Sequence, residues 1–346
     1  ALKVNAMGGT KRIPYVGASA LTDDVIPTVG EVTSGKALAE TAAASAGNAA
    51  AGAFISAVEN GAGVASGVPS AAAVAGAPVV NAVISEAKTA NPIHRFPKLT
   101  LVDEKYANYQ LPDFDNEITL EQFTENYRLF AASQLHLYYT PEIVRRFVAG
   151  MAASKLLILE GISGTGKTSL PYSFSRYLYN PATIVSVQPS YRDRSELLGY
   201  FNEFSKRFNE TEFLRALYEA NYCEQPTLIV LDEMNLARIE YYFAEMLSVL
   251  EMPSKDEWVL DLVPTAWDGD PVKMDGGKIH VSDATWFVGT ANNDDSTFTV
   301  TDKVYDRAMP IELNERADEF ECEPQPACYV TAEHLEYLFQ KAKAEY

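Results

Sequence analysis

Gly161, Gly164, Gly166, Lys167 and Thr168 fall within KLLILEGISGTGKTS, the stretch from Lys155 to Ser169, and are residues of the kinds that hold a triphosphate. Gly161, Gly166, Lys167 and Thr168 satisfy the spacing GxxxxGK[ST]. A loop that wraps its backbone N–H groups around phosphate needs glycine where a side chain would block the approach or where φ must be positive. Lys167 is expected to neutralise β/γ-phosphate charge and Thr168 to offer its hydroxyl to Mg²⁺. A helix starting there would present its positive dipole end to the anion. The expected cradle is Gly161, Ile162, Ser163, Gly164, Thr165, Gly166, Lys167, Thr168 and Ser169.

Two further stretches supply what such a loop lacks. TLIVLDEMN is an apolar run ending in two acids. Asp232 is expected beside Thr168, helping to hold Mg²⁺, and Glu233 is expected to polarise an attacking water. Neighbouring residues project differently, so one carboxylate can face a metal and the other a water. WFVGTANN is another apolar run with a polar tip, which places Asn292, or secondarily Asn293, to hydrogen-bond that water and sense the γ-phosphate. The chemistry implied is hydrolysis of a nucleoside triphosphate, ATP or GTP, with Mg²⁺. No residue reads the base decisively.

These residues need a particular frame. Leu156–Leu159 has the make-up of a strand buried on both faces. The pattern then predicts a helix over 169–179, a strand over 183–187, a helix over 212–220, a strand over 227–231, a helix over 241–250 and a strand over 285–289. Such alternation implies an α/β fold, a P-loop NTPase with a mostly parallel sheet covered by helices on both sides. Upstream, 118–154 reads as two amphipathic helices, with Thr119 and Thr140-Pro141 as their starts. TAEHLEYLFQKAKAE, over 331–345, reads as one more helix.

Composition limits the partners. Among 346 residues, 28 Lys and Arg against 47 Asp and Glu leave a net charge of −19. That balance excludes a general footprint on a nucleic-acid backbone, so any DNA contact must be local. Cys223, Cys322 and Cys328 and the four histidines, His94, His136, His280 and His334, show no metal-ligand spacing and read as core or surface residues. Free thiols and the lack of a signal-like start fit a reducing cytoplasm. The first residue is Ala1, as in a processed or excerpted piece. Residues 1–92 read as a leader or linker, rich in Ala, Gly and Ser from about Gly35. Gly61–Ser85 is free of charge over a bilayer-like length, but Pro69, Pro78 and its few large aliphatics argue against a membrane span.

GISGTGKTS, LDEMNLARIEYYFAEMLSVLE and GTANNDDSTFTVTDKVYDRA, in that order and at these separations, resemble the AAA+ ATPases and, within them, the McrB family and its MoxR neighbours. The resemblance covers Phe123–Leu313. It implies a helical lead-in over 93–150, a nucleotide-binding core over 151–316 and the start of a helical, lid-like segment over 317–346. With one helix in that last segment, the lid is expected to be absent or truncated, as in part of a larger protein. The McrB-like pattern MNxxDR is met by Ala291, Asn292 and Asp295, with Ser296 in the arginine position. The resemblance also implies that Arg307 reaches the nucleotide of a neighbouring subunit. It implies a homo-oligomeric, hexameric ring, and a McrC-like nuclease or activating subunit acting near Asn292 and Asp295. A short helix and hairpin are implied over 190–217, with Tyr200, Phe201, Phe204 and Phe208 candidates to line a pore. The motor would translocate DNA for a nuclease in modification-dependent restriction, or, as in MoxR relatives, remodel protein complexes.

Overall fold

The computed structural model describes residues 3–6, 9–12, 94–292, 294, 297–314 and 316–345. The chain divides into two units, Ala1–Ile84 and Ser85–Tyr346. In the first, β1 (Lys3–Ala6) pairs antiparallel with β2 (Gly9–Arg12), Lys3 opposite Arg12. The rest of the expected leader, Gly61–Ser85 included, lies outside the described residues. Among the described residues no helix is long and apolar enough to cross a membrane.

The second unit is built on five parallel strands: β3 (Leu156–Gly161), β4 (Thr183–Ser186), β7 (Thr227–Asp232), β11 (Thr285–Asn292) and β12 (Met309–Glu312). Their order across the sheet is β12-β3-β11-β7-β4. Strands buried on both faces divide their side chains between two cores. Leu156 and Ile158 of β3, Ile229 and Leu231 of β7 and Phe287 of β11 enter one core. Leu157 and Leu159, Leu228 and Val230, and Trp286 and Val288 enter the other. The period-two division of unbroken apolar runs is what a sheet sandwiched between helices requires. The result is a three-layer P-loop NTPase fold, the fold class expected.

On one face lie α2 (Leu120–Leu135), α3 (Pro141–Ala153), α4 (Ser169–Tyr177) and α9 (Ala332–Glu345). Thr119 caps α2 in a reciprocal box with Gln122, and Thr140 caps α3 ahead of Pro141, the two starts predicted. The helix predicted near the C-terminal end packs against α2 and α3, with Leu335 and Phe339 in the same core as Phe147.

The opposite face carries α1 (Pro97–Tyr106), α6 (Glu212–Glu219), α7 (Ile239–Tyr242) and α8 (Ala244–Val249). The single helix predicted over 241–250 is these last two, broken at Phe243. Tyr242 and Phe243 are both buried, and adjacent residues point about 100° apart on one helix. The break turns both rings inward, Phe243 against Phe213 and Phe287.

The inserted helix and hairpin are present as α5 (Ser195–Leu198), β5 (Tyr200–Asn202) and β6 (Arg207–Asn209). The four aromatics expected to act together there are divided. Phe208 is buried and stacked on Phe96, Phe201 meets the edge of Trp267, while Tyr200 is exposed and Phe204, in the turn, fully so. Residues 253–277 contribute to a small sheet of β8 (Val259–Asp261), β9 (Met274–Asp275) and β10 (Lys278–His280). Arg95, 2% exposed, fastens this excursion by a bidentate bond to Asp270 and by stacking on Trp267.

Candidate nucleotide-binding site

Chain connections leave β3 toward one edge of the sheet, whereas β12 is added on its other side, so the strand order reverses at the C-terminal end of β3. Open parallel sheets bind ligands at such a crevice, and the glycine-rich loop lies there. Gly161 closes β3 at φ +150°, and a Cβ on it would stand 2.4 Å from the Leu313 carbonyl oxygen. Gly166 has open space around a Cβ position, so its φ of +96° is what requires glycine.

Lys167 is 7% exposed, and its ammonium donates to the carbonyls of Gly161 at 2.9 Å and Ile162 at 2.8 Å. Burial holds its pKa below the ordinary lysine value, against the opposing pull of Asp232, Glu233 and Asp294. A buried ammonium held on loop carbonyls is a donor ready for an anion in the cradle. Thr168 stands at the N-cap of α4, but its side chain makes no capping hydrogen bond. Its hydroxyl instead donates to Asp232 Oδ1 at 2.6 Å.

Around Asp232 the strand tips converge. Thr290, from β11, donates to the same Asp232 oxygen at 2.9 Å and accepts from the Glu233 N–H at 2.8 Å. Glu233 has left-handed backbone, φ 54° and ψ 46°. That conformation ends β7 and turns the second carboxylate away from the first. Glu233 is exposed at the crevice, and Asn292 Nδ2 lies 3.5 Å from its Oε1. The loop, both acids and Asn292 are therefore brought together at one crevice. Asn293 and Asp295 lie outside the described residues.

Arg307 is elsewhere. It precedes β12, whose Met309 pairs with Leu157 and Glu312 with Glu160, so it stands at the N-terminal edge of the sheet. The phosphate loop leaves the other edge, roughly 15–20 Å away along the strand direction. Arg307 Nη2 donates to Glu251 at 2.6 Å and Nη1 to the Lys303 carbonyl at 2.7 Å. It cannot serve the nucleotide of its own chain.

Three site-supporting residues were not singled out in the sequence. Thr290 lies just past the end predicted for its strand, and β11 runs on to Asn292, paired with Gly161. Asn235 is 3% exposed and bonds to the backbone of Asn292. Arg316 donates to the Gly164 carbonyl, a second cation on the loop. Of these, Asn235 could have been suspected, as a polar residue beside the acid pair in LDEMN.

A hydroxyl and a carboxylate side by side are hard oxygen donors of the kind Mg²⁺ takes, usually keeping water on its remaining positions. Thr168 and Asp232 are the residues that would hold it, and when bound it would offset charge on the phosphates. Among the described residues no group of three or more His, Cys, Asp and Glu is placed to hold a metal ion.

No protein-family model and no curated protein matches this chain. Among solved structures, it is similar to a Cytophaga hutchinsonii protein described as a proposed ATPase, at 14% identity and a TM-score of 0.41. The match covers 71% of this chain and spans 65% of that one.

Proposed function

We propose that this chain is a Mg²⁺-dependent nucleoside-triphosphatase of the AAA+ type, acting as a subunit of an oligomeric, hexameric ring and resembling McrB. The observation that carries the reading is the contact of Thr168 and Asp232 beneath the glycine loop, with Glu233 and Asn292 beside it. Lys167 and the loop amides bind the phosphates. Glu233 accepts the proton of the attacking water, and Asn292 orients that water. Asp295 belongs to the same polar tip by its place in the sequence. ATP and GTP are both substrates to be tried.

The position of Arg307 supports an interfacial role, since it is remote from its own loop. An arginine supplied across an interface is worth about 10³–10⁵ in rate in comparable systems. In the McrB-like reading the ring translocates DNA for a McrC-like nuclease, which binds near Asn292 and Asp295. A second reading, a MoxR-like chaperone remodelling protein complexes, draws on the net charge of −19 and on the full exposure of Phe204 in the hairpin turn. An acidic chain repels a nucleic-acid backbone, whereas an exposed aromatic can grip a polypeptide.

Mixing two inactive variants tests the shared site. Arg307→Ala retains a nucleotide pocket and Lys167→Ala retains the arginine, so mixed assemblies should recover turnover that neither variant has alone. Wild-type turnover per subunit should rise with protein concentration, and DNA or co-purifying protein should raise it further according to the load. Concentration-independent turnover, with no recovery on mixing, would remove Arg307 from the site.

A further inference from the structure

The tips of β7 and β11 are joined by one buried amide. We infer that Asn235 is a positioning residue for the hydrolysis proposed above: without touching nucleotide, it sets how Asn292 stands against Glu233. The inference rests on that reading of the site.

Asn235 lies in the 3-10 turn Met234–Leu236 that follows Glu233. Its Nδ2 donates to the carbonyl of Asn292 at 2.9 Å and to that of Phe298 at 3.3 Å. Its Oδ1 accepts from the Asn292 N–H at 3.2 Å, and its own carbonyl accepts from the Phe298 N–H at 2.8 Å. One side chain thus holds both backbone groups of Asn292. Asparagine is suited to this because its short side chain carries donor and acceptor together. Aspartate would lose both donors, and alanine everything.

The turn is itself anchored. The buried hydroxyl of Tyr242 donates to the Met234 carbonyl at 2.8 Å. Thr297 supplies a second donor to the Asn292 carbonyl at 2.9 Å. Against this frame the Asn292–Glu233 contact is 3.5 Å, at the edge of hydrogen bonding. A displacement of about 1 Å would separate the two, and misplacement on that scale can cost about 10²-fold in rate.

The test measures turnover and nucleotide affinity of the full chain for wild type and for the Glu233→Gln, Asn235→Ala, Asn292→Ala, Asn235→Ala/Asn292→Ala and Thr297→Val variants. With wild type active and Glu233→Gln inactive, Asn235→Ala should lower kcat about 10- to 100-fold and leave nucleotide affinity within about threefold, less than 1 kcal/mol. The double variant should be no slower than Asn292→Ala alone, because Asn235 acts through Asn292. Thr297→Val, at a half-buried position, should show a smaller loss of the same kind and serves if Asn235→Ala does not fold. Unchanged kcat in these variants, additive losses in the double variant, or affinity falling in step with turnover would overturn the assignment. An inactive wild type would overturn the reading and the assignment together.

Discussion

The hydroxyl of Thr168 and the carboxylate of Asp232 stand 2.6 Å apart although β11 lies between β3, whose loop leads to Thr168, and β7, which carries Asp232. Thr290 fills the gap from that intervening strand and bonds to the same oxygen. Asp232→Asn and Thr168→Ala should therefore each raise the Mg²⁺ concentration needed for half-maximal turnover by roughly tenfold or more. Thr290→Val should raise it less, since Thr290 bonds to Asp232 and the Glu233 N–H and is not itself assigned to the metal. Titrating turnover against free Mg²⁺ checks this, and an unchanged midpoint in Asp232→Asn would dismiss the metal assignment.

Gly289 makes room for Met234, the residue after Glu233. A Cβ on Gly289 would lie 1.8 Å from the Met234 sulfur, whose side chain is fully buried. Gly289→Ala should destabilise by about 1–3 kcal/mol through overpacking. It should also slow turnover by moving the turn beside Glu233. Adding Met234→Ala removes the clash, so the double variant should lose less stability than the two single losses summed. Urea unfolding of the four proteins measures this coupling, and strict additivity would refute it.

Lys155 immediately precedes β3, lies over the ring of Trp286 at 3.2 Å, and donates to Glu336 at 2.6 Å. Burial outweighs the carboxylate and holds its pKa at about 8. Burial also pushes Glu336 upward, but Lys155 and Lys255 together keep it below the usual carboxylate value. For the lysine the folded pKa is depressed, so between about pH 8 and the ordinary lysine value of about 10.5 the unfolded chain binds the extra proton. The contribution of Lys155 to stability therefore rises with pH in that window. Relative to Lys155→Met, wild type should gain stability, on the order of 1–2 kcal/mol, between pH 7.5 and 9.5. Urea midpoints at the two pH values measure the gain, and a constant or shrinking difference would contradict it.

The parts legible in the sequence are those set by local rules. Runs such as Leu156–Leu159 show strands buried on both faces, Thr119 and Thr140 show helix starts, and glycine spacing shows the loop. The missed parts depend on contacts between distant residues. The break at Phe243 follows from packing two adjacent rings inward, and Gly289 matters because Met234 fills its space, 55 positions away in the chain. Asn235 reads as one polar residue after an acid pair until the tip of β11 is placed beside it. Arg307 had its role from resemblance alone, and the sheet adds that it is remote from its own loop. The small sheet from β8 to β10 is built of strands of two or three residues, too short for periodicity to register.

Glu233 carries the central claim, being the group assigned to take the proton of water while Lys167, Thr168 and the loop hold nucleotide. The direct measurement is single-turnover hydrolysis of ATP and GTP by Glu233→Gln beside equilibrium binding of the same nucleotides. Glu233→Gln should bind nucleotide like wild type and hydrolyse it about 10²–10⁴-fold more slowly, the usual worth of a general base. Hydrolysis at the wild-type rate would contradict the claim.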